Sequence, residues 1–527
     1  MEKKLFGTNG VRGIVNKELT PQLIFELSLA IGTFFKGGEV FLGRDGRKSS
    51  ESLAYLVSAG LMDVGSTVYD VGMLPTPALQ WITRKSNVNG GVMITASHNP
   101  PEYNGIKVMD KDGIEIIREK EEIIEKIYFN KEWKLSAWDK IGKKINKPYM
   151  IEEYKESIKS FIDEEKIRNA KLKVVVDAGN GVGALVTPYL LRELGCKVLT
   201  INGNIDGTFP GRFPEPTLEN ISDLCDAVKI FKADFGVAHD GDADRAIFVD
   251  ENGVAHWGDR TFALIEKIFL EENPGETIVT PVSSSKIIGE IAQLYGGKVV
   301  WTEVGSTVVS RRMQEINAKL GGEENGGIFY GPHIPARDGA MAAALIANII
   351  AKTKKTLSQL LNEIPIYYSI KTKVECPHSI KLKVLEMIKE EAYGEKVETI
   401  DGVKIWFSND SWVLIRPSGT EPIYRVFVEA KTEEQAKKLA LEYSAKIKTF
   451  IKKAEEKTTL IICAEKLPWK CHRAFLSQEL EKKNFKVIHI IEKNKIWEPK
   501  KAPKKNKPKC NGGNISNKQL ALHWCLK

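Results

Sequence analysis

Short apolar runs alternate with amphipathic stretches over most of the chain. Residues 23–35 space their apolar positions as a helix does, residues 40–42 form an apolar run, and residues 50–64 return to helical spacing. Strands and helices that alternate with short connections are typical of layered α/β domains. The pattern predicts three such units and a fourth in which strands alternate with two helices: residues 1–149, 150–252, 253–365 and 366–455.

The length of the chain and its cysteines limit the classes of protein it can belong to. With 527 residues the chain exceeds what one hydrophobic core usually supports, so several domains are expected. No apolar run reaches transmembrane length, and we expect neither a signal peptide nor a membrane partner. The seven cysteines are scattered, which favours reduced thiols and a cytoplasmic protein.

The positive charge of the chain is concentrated at one end. The net charge is +8, yet residues 456–527 carry 17 Lys+Arg and only 6 Asp+Glu. Residues 1–455 are therefore close to neutral and slightly acidic. The main body offers no electrostatic reason to bind nucleic acid, and the basic character belongs to the extension at 456–527.

The most informative stretch is Gly90–Val108, with the sequence GGVMITASHNPPEYNGIKV. The apolar run Val92–Ile94 predicts a buried strand, and the two prolines force a turn soon after it. Ser97 is therefore expected on a tight loop just past a strand end, where open α/β sheets place their chemistry. Its neighbour His98 indicates a nucleophile, and Lys107 can reach back toward the same loop.

Two chemistries fit a serine beside a histidine. A hydrolytic triad is one candidate, although the G-x-S-x-G elbow of such enzymes is missing. The other is a serine that carries a phosphoryl group.

A second loop has the sequence DGDADR and follows a predicted strand at 233–238. Asp240, Asp242 and Asp244 place three carboxylates at alternate positions, where they can face one hard cation. Oxygen ligands of this kind suit Mg²⁺, whereas a calcium-binding EF-hand would need a glycine where Arg245 stands. The sequence therefore predicts a magnesium site.

A third loop, GGEENGG at 321–327, places acidic and amide side chains between glycines. The carboxylate of Glu323 and the amide of Asn325 are suited to hydrogen-bond vicinal sugar hydroxyls.

A fourth loop, RPSGTEP, follows an apolar run at 412–415. Hydroxyls, an arginine, and a glycine that lets backbone amides approach together form an anion-binding nest. The candidate anion ligands are Arg416, Ser418, Gly419, Thr420 and, just beyond the loop, Arg425. Near the start of the chain, FGTNGVRG contains Arg12, whose guanidinium fork is well shaped for a phosphate.

TASHNP, DGDADR, GGEENGG and RPSGTEP occur in this order and resemble the phosphoserine, metal, sugar and phosphate loops of the α-D-phosphohexomutases. The resemblance covers about residues 1–455. It implies three related α/β domains and a smaller C-terminal α+β domain around a central cleft. It also implies the transfer of phosphate between C6 and C1 of a sugar.

The resemblance further implies a role for each loop. Ser97 would carry phosphate at rest and donate it to the sugar, giving a bisphosphorylated intermediate. Mg²⁺ would be held by the three aspartates and an oxygen of that phosphate, with Arg245 beside it. The Arg416 loop would hold the phosphate that is not reacting. His98 and Lys107 are the candidates for proton transfer, and the sequence does not decide between them.

FGTNGVRG and GGEENGG are most similar to archaeal phosphoglucosamine mutases, some of which are related to galactosamine-phosphate mutation. We therefore expect a mutase acting on glucosamine phosphates, as a monomer or homodimer, that feeds UDP-N-acetylhexosamine synthesis. Phosphomannomutase/phosphoglucomutase is the alternative, and a catalytically inactive sugar-phosphate sensor is the alternative from a different class. Bacterial relatives usually end the sugar loop in Ser-Gly-His, so any role of that histidine must be absent or moved, for example to His333.

The extension departs from this family. Residues 458–492 resemble the C-terminal part of DUF488, a family of unknown function, and the first half of that domain is missing. The extension could dock on an anionic surface or be an inert fusion remnant.

Overall fold

The computed structural model describes residues 4–7, 9–148, 150–392, 396–407, 410–419, 421–455, 489–492 and 495–497. The chain forms two compact units, residues 1–451 and 452–527. The first unit contains four sheets with accompanying helices, which confirms the predicted multi-domain α/β fold. Among the described helices, none combines the length and the apolar character needed to cross a membrane.

The first region of the large unit contains a six-stranded sheet. Its elements are β1 (Val11–Ile14), α1 (Pro21–Phe34), β2 (Glu39–Arg44), α2 (Ser50–Asp63), β3 (Thr67–Met73), α3 (Thr76–Lys85), β4 (Gly90–Ile94), β5 (Tyr103–Asp110), α4 (Arg118–Asn130) and β6 (Lys144–Asn146). The strand order is β1-β5-β4-β2-β3-β6. β5 is antiparallel to both of its neighbours, β1 and β4, and the other pairs are parallel. α1 begins after Thr20, whose hydroxyl caps the helix by accepting a hydrogen bond from the Leu23 amide.

The second region is a five-stranded sheet. It contains α5 (Met150–Lys159), α6 (Glu164–Ala170), β7 (Lys173–Asp177), α7 (Thr187–Glu193), β8 (Lys197–Ile201), α8 (Ser222–Phe231), β9 (Phe235–His239), β10 (Ala246–Asp250) and β11 (Ala255–His256). The order is β11-β10-β9-β7-β8, with β7 parallel to both of its neighbours and β10 antiparallel to β9. The loop after the buried strand β9 carries the three aspartates.

The third region has a sheet of the same size. It contains α9 (Gly258–Glu272), β12 (Thr277–Pro281), α10 (Ile287–Leu294), β13 (Lys298–Thr302), α11 (Ser306–Ile316), β14 (Leu320–Gly322), β15 (Ile328–Tyr330), β16 (Ile334–Arg337), α12 (Gly339–Thr353) and α13 (Leu357–Asn362). The order is β13-β12-β14-β15-β16, with β12 parallel to both neighbours. The sugar-loop sequence follows β14.

The fourth region is built around an antiparallel sheet in the order β17-β21-β20-β19-β18. Its elements are β17 (Tyr368–Glu375), α14 (Lys381–Glu391), β18 (Lys396–Glu398), β19 (Val403–Trp406), β20 (Trp412–Pro417), β21 (Ile423–Ala430) and α15 (Glu433–Glu455). The RPSGTEP sequence begins at the end of β20. In the small unit the structure describes one antiparallel pair, β22 (His489–Glu492) and β23 (Lys495–Trp497). The rest of the DUF488-like segment lies outside the described residues.

One hydrophobic cluster joins the first three regions. Met93 of β4, Val176 of β7 and Ile278 of β12 all belong to it. Helix α12 is apolar on every side, and its residues 339–351 are all buried in the same cluster or against it, as expected for a helix inside a core. The loops that follow β4, β9 and β14 are therefore held on a common, close-packed base.

Two strands are not evident from the local sequence. The segment after the two prolines forms β5, although Asn104 and Gly105 near its start are typical of a turn. The stretch 133–148 contributes the edge strand β6. Both strands are stabilised by pairing with distant partners, which local sequence does not reveal.

Candidate active site

Ser97 lies in a left-handed backbone conformation, with φ of +50°, on the loop after β4. This conformation is uncommon for a residue other than glycine and marks a sharp, constrained turn. The side chain is fully buried. Its hydroxyl donates a hydrogen bond to Oδ2 of Asp240 at 2.7 Å and lies 3.3 Å from Nδ1 of His98. The loop therefore aims the serine oxygen at the acidic loop of the neighbouring region.

The serine loop is fixed by one arginine that the sequence interpretation did not single out. Arg47 is buried, and Asp45 accepts a hydrogen bond from its Nε at 3.1 Å. Its terminal nitrogens donate to four carbonyl oxygens of the loop, at 2.6 to 3.0 Å: Ser97, Asn99, Pro100 and Tyr103. A planar guanidinium with five donors is well suited to hold several carbonyls at once, so Arg47 determines the shape of the loop.

The three aspartates converge on one point. Asp240, Asp242 and Asp244 are buried, and each offers a carboxylate oxygen within 4.8 Å of the others. Ala243 between them takes a left-handed φ of +56°, which curls the loop so that alternate side chains face the same side. Lys107 on β5 donates from Nζ to Oδ2 of Asp242 at 2.8 Å and to Oδ2 of Asp244 at 3.4 Å.

The acidic loop fits a hard cation. Oδ1 of Asp242 and Oδ1 of Asp244 are buried and accept no hydrogen bond from the described residues. A buried carboxylate oxygen without a donor is unfavourable unless something else satisfies it. Three carboxylates and a neighbouring serine oxygen make an all-oxygen donor set, which suits a hard divalent ion such as Mg²⁺.

The electrostatics of the loop also show excess negative charge. Burial, together with the charges of Asp244 and Asp242, raises the pKa of Asp240 well above its ordinary value. Burial also opposes ionisation of Asp242, but the charge and hydrogen bond of Lys107 prevail and lower the pKa of that carboxyl. For Lys107, the attraction of these carboxylates outweighs burial and raises its pKa. Lys107 is therefore a firmly protonated partner of the aspartates.

Positive charge also lies close to the serine loop. Arg12 is linked to the serine loop, since its Nη1 donates to the Ala96 carbonyl at 3.3 Å and to Oδ1 of Asn99 at 2.9 Å. Burial and then the charges of Arg245, Arg12 and a third arginine lower the pKa of His98 well below its ordinary value. The imidazole is consequently neutral at physiological pH.

That third arginine is Arg337, at the end of β16. It donates from Nη2 to Oδ2 of Asp244 at 2.5 Å and from Nη1 to Oε2 of Glu323 at 3.2 Å. The sugar-loop glutamate is thus one side chain away from the acidic loop. Asn325 closes the sugar loop on itself, because its Oδ1 accepts from the Gly327 amide at 3.2 Å. Arg245 contributes its backbone amide to Oδ1 of Asp240 at 3.2 Å.

The sequence interpretation offered His333 as a replacement for the histidine missing from the sugar loop. In the structure His333 is buried and stacks on Trp81 with ring centroids 6.2 Å apart. Tyr154 and Phe161 pack against other sides of its ring. His333 therefore fills the junction of the first three regions, and no contact of a described residue connects it to Ser97.

The RPSGTEP loop is placed apart from the serine and the aspartates. Among the described residues, no hydrogen bond or ion pair joins Arg416, Ser418 or Arg425 to that group. Ser418 is held inside its own loop, where its Oγ accepts from the Glu421 amide at 3.2 Å. Arg425 pairs with Glu421 at 2.7 Å. Gly419 has open space where a side chain would be, and Thr420 lies outside the described residues.

Sequence reasoning missed three side chains that hold the acidic and serine loops: Thr76, Arg337 and Arg47. Thr76 donates from its hydroxyl to Oδ2 of Asp242 at 2.6 Å across 166 positions of sequence. The signal for the two arginines in the sequence was weak. Arg47 follows Asp45 and Gly46 just past β2, and Arg337 ends β16 directly before Asp338 and Gly339. Position at a strand end therefore identified loops but not their partners.

Four domain families match consecutive parts of the chain. They are described as phosphoglucomutase/phosphomannomutase alpha/beta/alpha domains I, II and III, at residues 3–135, 152–253 and 257–368, and the C-terminal domain, at residues 372–446. A solved structure of a phosphoglucomutase/phosphomannomutase family protein from Burkholderia thailandensis matches with a TM-score of 0.75 at 27% identity. The match covers 87% of this chain and 99% of the Burkholderia chain.

Similar proteins differ in the sugar named in their descriptions. A phosphoglucomutase/phosphomannomutase from Thermococcus kodakarensis is 48% identical over 82% of this chain and 96% of its own length. A phosphoglucosamine/phosphogalactosamine mutase from Sulfurisphaera tokodaii is 47% identical over 83% of this chain and 98% of its own length. A phosphopentomutase from T. kodakarensis is 39% identical over 86% of this chain and 100% of its own length. The resemblance carried by the four loops is confirmed: this chain belongs to the phosphoglucomutase/phosphomannomutase family of phosphohexomutase enzymes.

Proposed function

We propose that the chain is a phosphoglucosamine mutase that interconverts glucosamine 6-phosphate and glucosamine 1-phosphate through a phosphoserine at Ser97. The observation that carries this proposal is the 2.7 Å hydrogen bond from the Ser97 hydroxyl to Asp240, at the centre of three buried carboxylates. A serine held against a candidate cation site, with Arg12 beside it, is suited to bear a phosphoryl group rather than to attack an acyl group.

In the proposed reaction, phosphoserine 97 donates its phosphoryl group to the free hydroxyl of the sugar phosphate. The bond from phosphorus to Oγ breaks, and a bond to the sugar oxygen forms. The resulting 1,6-bisphosphate turns over in the site and returns its other phosphate to Ser97. The product therefore carries its single phosphate on the other carbon of the sugar, and Ser97 is phosphorylated again.

The sugar hydroxyl must lose a proton as it attacks, so a base is needed. Lys107 is protonated and hydrogen-bonded to two carboxylates, whereas His98 is neutral and lies 3.3 Å from the Ser97 oxygen. These states favour His98 as the acceptor of the proton that the Ser97 hydroxyl loses when it takes phosphate back from the bisphosphate. Lys107 then maintains the charge balance of the aspartates and can donate to the phosphoryl oxygens.

We further propose that Asp240, Asp242 and Asp244 hold Mg²⁺ when the enzyme is loaded. The support is the pair of buried carboxylate oxygens that lack a donor among the described residues. Bound there, the ion would offset negative charge on the transferring phosphoryl group. Arg245, attached to this loop, would face the same group.

Recognition of the sugar is assigned to two separate loops. Glu323 and Asn325 would bind sugar hydroxyls from one side, with Glu323 fixed by Arg337. Arg416, Ser418, Gly419 and Thr420, assisted by Arg425, would hold the phosphate that is not reacting. Because the sugar must turn over between half-reactions, the phosphate loop has to accept either end of the bisphosphate.

The test is turnover by the full-length protein with Mg²⁺ on matched panels of sugar phosphates: glucosamine, galactosamine, mannose, glucose and ribose. The proposal predicts the highest kcat/KM for an amino sugar. The relative from T. kodakarensis makes phosphomannomutase/phosphoglucomutase the competing function, and equal rates on glucosamine, mannose and glucose phosphates would overturn the amino-sugar assignment. Absence of turnover on every sugar would instead favour a sugar-phosphate sensor.

A further inference from the structure

We propose that Asp401 is the residue that positions Arg416 for phosphate binding, an inference that rests on the proposed role of Arg416. Oδ2 of Asp401 accepts a hydrogen bond from Nε of Arg416 at 2.5 Å. The same oxygen accepts from the backbone amide of Val304 at 3.0 Å. Asp401 therefore holds the arginine and, at the same time, attaches it to the third region of the molecule.

The local backbone brings Asp401 to this position. Asp401 and Gly402 form the turn between β18 and β19, and Val403 of β19 pairs with Ile415 of β20. Gly402 has φ of +84°, and a side chain there would lie 2.3 Å from the Ile415 carbonyl oxygen and 3.0 Å from Cα of Arg416. Only glycine fits so closely, so the turn packs directly beneath the arginine.

The hydrogen bond to Asp401 uses the Nε edge of the Arg416 guanidinium and leaves its two terminal nitrogens available for a ligand. Nε of Arg416 is occupied by Asp401, whereas no described residue accepts a hydrogen bond from Nη1 or Nη2. A guanidinium presents two parallel donors to a phosphate when its terminal nitrogens are available and its plane is fixed. The Asp401 carboxylate fixes that plane.

The Val304 contact gives the arrangement a wider consequence. Val304 lies in the connection between β13 and α11. Ser306, at the start of α11, accepts a hydrogen bond at its Oγ from Nδ2 of Asn9 at 3.2 Å. The Asn9 carbonyl in turn accepts from Nε of Arg12 at 3.3 Å. The connection at 303–306 therefore contacts the holders of both Arg416 and Arg12.

The experiment measures binding of inorganic phosphate to the full-length protein by titration calorimetry, with Arg416→Ala as the reference for loss of this site. We expect Asp401→Ala to weaken the binding that depends on Arg416 by about tenfold, since a charge-assisted hydrogen bond is lost. Asp401→Asn keeps an acceptor without the charge and should weaken it less. The double variant Asp401→Ala/Arg416→Ala should bind no more weakly than Arg416→Ala alone.

The matched control is Asp410→Asn, which removes an exposed carboxylate of the same region that pairs with Lys431 and should leave phosphate affinity unchanged. Equal affinities for Asp401→Ala and the control would overturn the inference, as would additive losses in the double variant or an Arg416→Ala variant that binds like wild type. The unfolding midpoint of each variant separates loss of positioning from loss of fold. Turnover of sugar phosphates is measured separately, so failure of the proposed function is distinguishable from failure of this inference.

Discussion

The charged groups of the Ser97 and aspartate loops differ from those of the Arg416 loop in how deeply they are buried and in how many partners the protein gives them. Lys107, Asp242 and Asp244 are at most 2% exposed and pair with one another. The side chain of Arg416 is 16% exposed, that of Arg425 is 43% exposed, and each has one carboxylate partner. The first group is preorganised by the fold, whereas the second keeps donors available for a ligand.

This difference corresponds to two physical tasks. A group that stabilises a transferring phosphoryl must not reorganise during the reaction, and burial among fixed partners supplies that rigidity. A group that holds either of two phosphates must release and rebind them, which is easier at a partly hydrated site. We therefore expect substitutions in the buried group to affect the chemical step or the fold, and substitutions in the Arg416 loop to affect KM.

The largest expected effect is that of Ser97→Ala. The variant lacks the only proposed phosphoryl carrier, so kcat should fall by about a thousandfold or more. The hydroxyl makes one hydrogen bond to Asp240, so the free energy of unfolding should change by only about 1 kcal/mol. Undiminished turnover would refute the phosphoserine scheme. Loss of the cooperative thermal unfolding transition would show that the fold of the loop depends on the Ser97 hydroxyl.

Removal of the metal ion is expected to have the second-largest effect on turnover. Treatment with a chelator is expected to lower kcat by about a hundredfold or more, because the three carboxylates lose the cation that offsets their charge. Added Mg²⁺ should restore the rate, and Ca²⁺ should restore it less since it favours a larger and looser set of ligands. Full activity in a metal-free preparation verified by elemental analysis would contradict the assignment of the aspartates.

A pair of arginine substitutions tests whether the buried serine loop and the Arg416 loop differ in this way. Arg47→Ala should lower the free energy of unfolding by about 3 kcal/mol, because four loop carbonyls and Asp45 lose a buried partner. Arg416→Ala should change it by less than about 1 kcal/mol and raise KM about tenfold or more. Chemical denaturation and steady-state kinetics on both variants check this, and the reverse pattern would break the distinction between the two regions.

The smallest expected effect lies where the third and fourth regions meet and three acidic side chains come together: Asp259, Glu324 and Glu429. Burial and then the charges of Glu324 and Glu429 raise the pKa of Asp259 from its ordinary 3.8 to about 8. The folded protein therefore retains a proton that the unfolded chain releases above pH 3.8. The contribution of this carboxyl to stability is therefore most favourable at low pH and falls as the pH rises from about 4 to about 8.

Asp259→Asn should remove most of this decline, so that the variant is more stable than wild type by about 2 kcal/mol at pH 8 and by little at pH 4. Denaturation at both values measures the difference. Asp139→Asn, at an exposed position, is the control and should follow wild type. Parallel pH profiles for wild type and Asp259→Asn would show that the junction does not hold this proton.

The loops themselves were predictable from sequence because their chemistry is local. Asp240, Asp242 and Asp244 lie within five positions, and Ser97 follows an apolar run that predicts a buried strand. Their partners were not predictable in the same way, since Arg337 reaches Asp244 across 93 positions. Such pairs depend on how β16 and β9 are placed by a shared core. The left-handed backbone at Ser97 likewise depends on Arg47 holding the loop from outside, which no local pattern shows.

The central claim is that Ser97 carries the transferred phosphate. The direct measurement is mass spectrometry of the intact, freshly purified protein and of its peptides, before and after exposure to glucosamine 6-phosphate. The account predicts one phosphoryl group, located on Ser97, that passes to the sugar when substrate is added and is replaced during turnover. A fully active enzyme that never bears phosphate on Ser97 would contradict it.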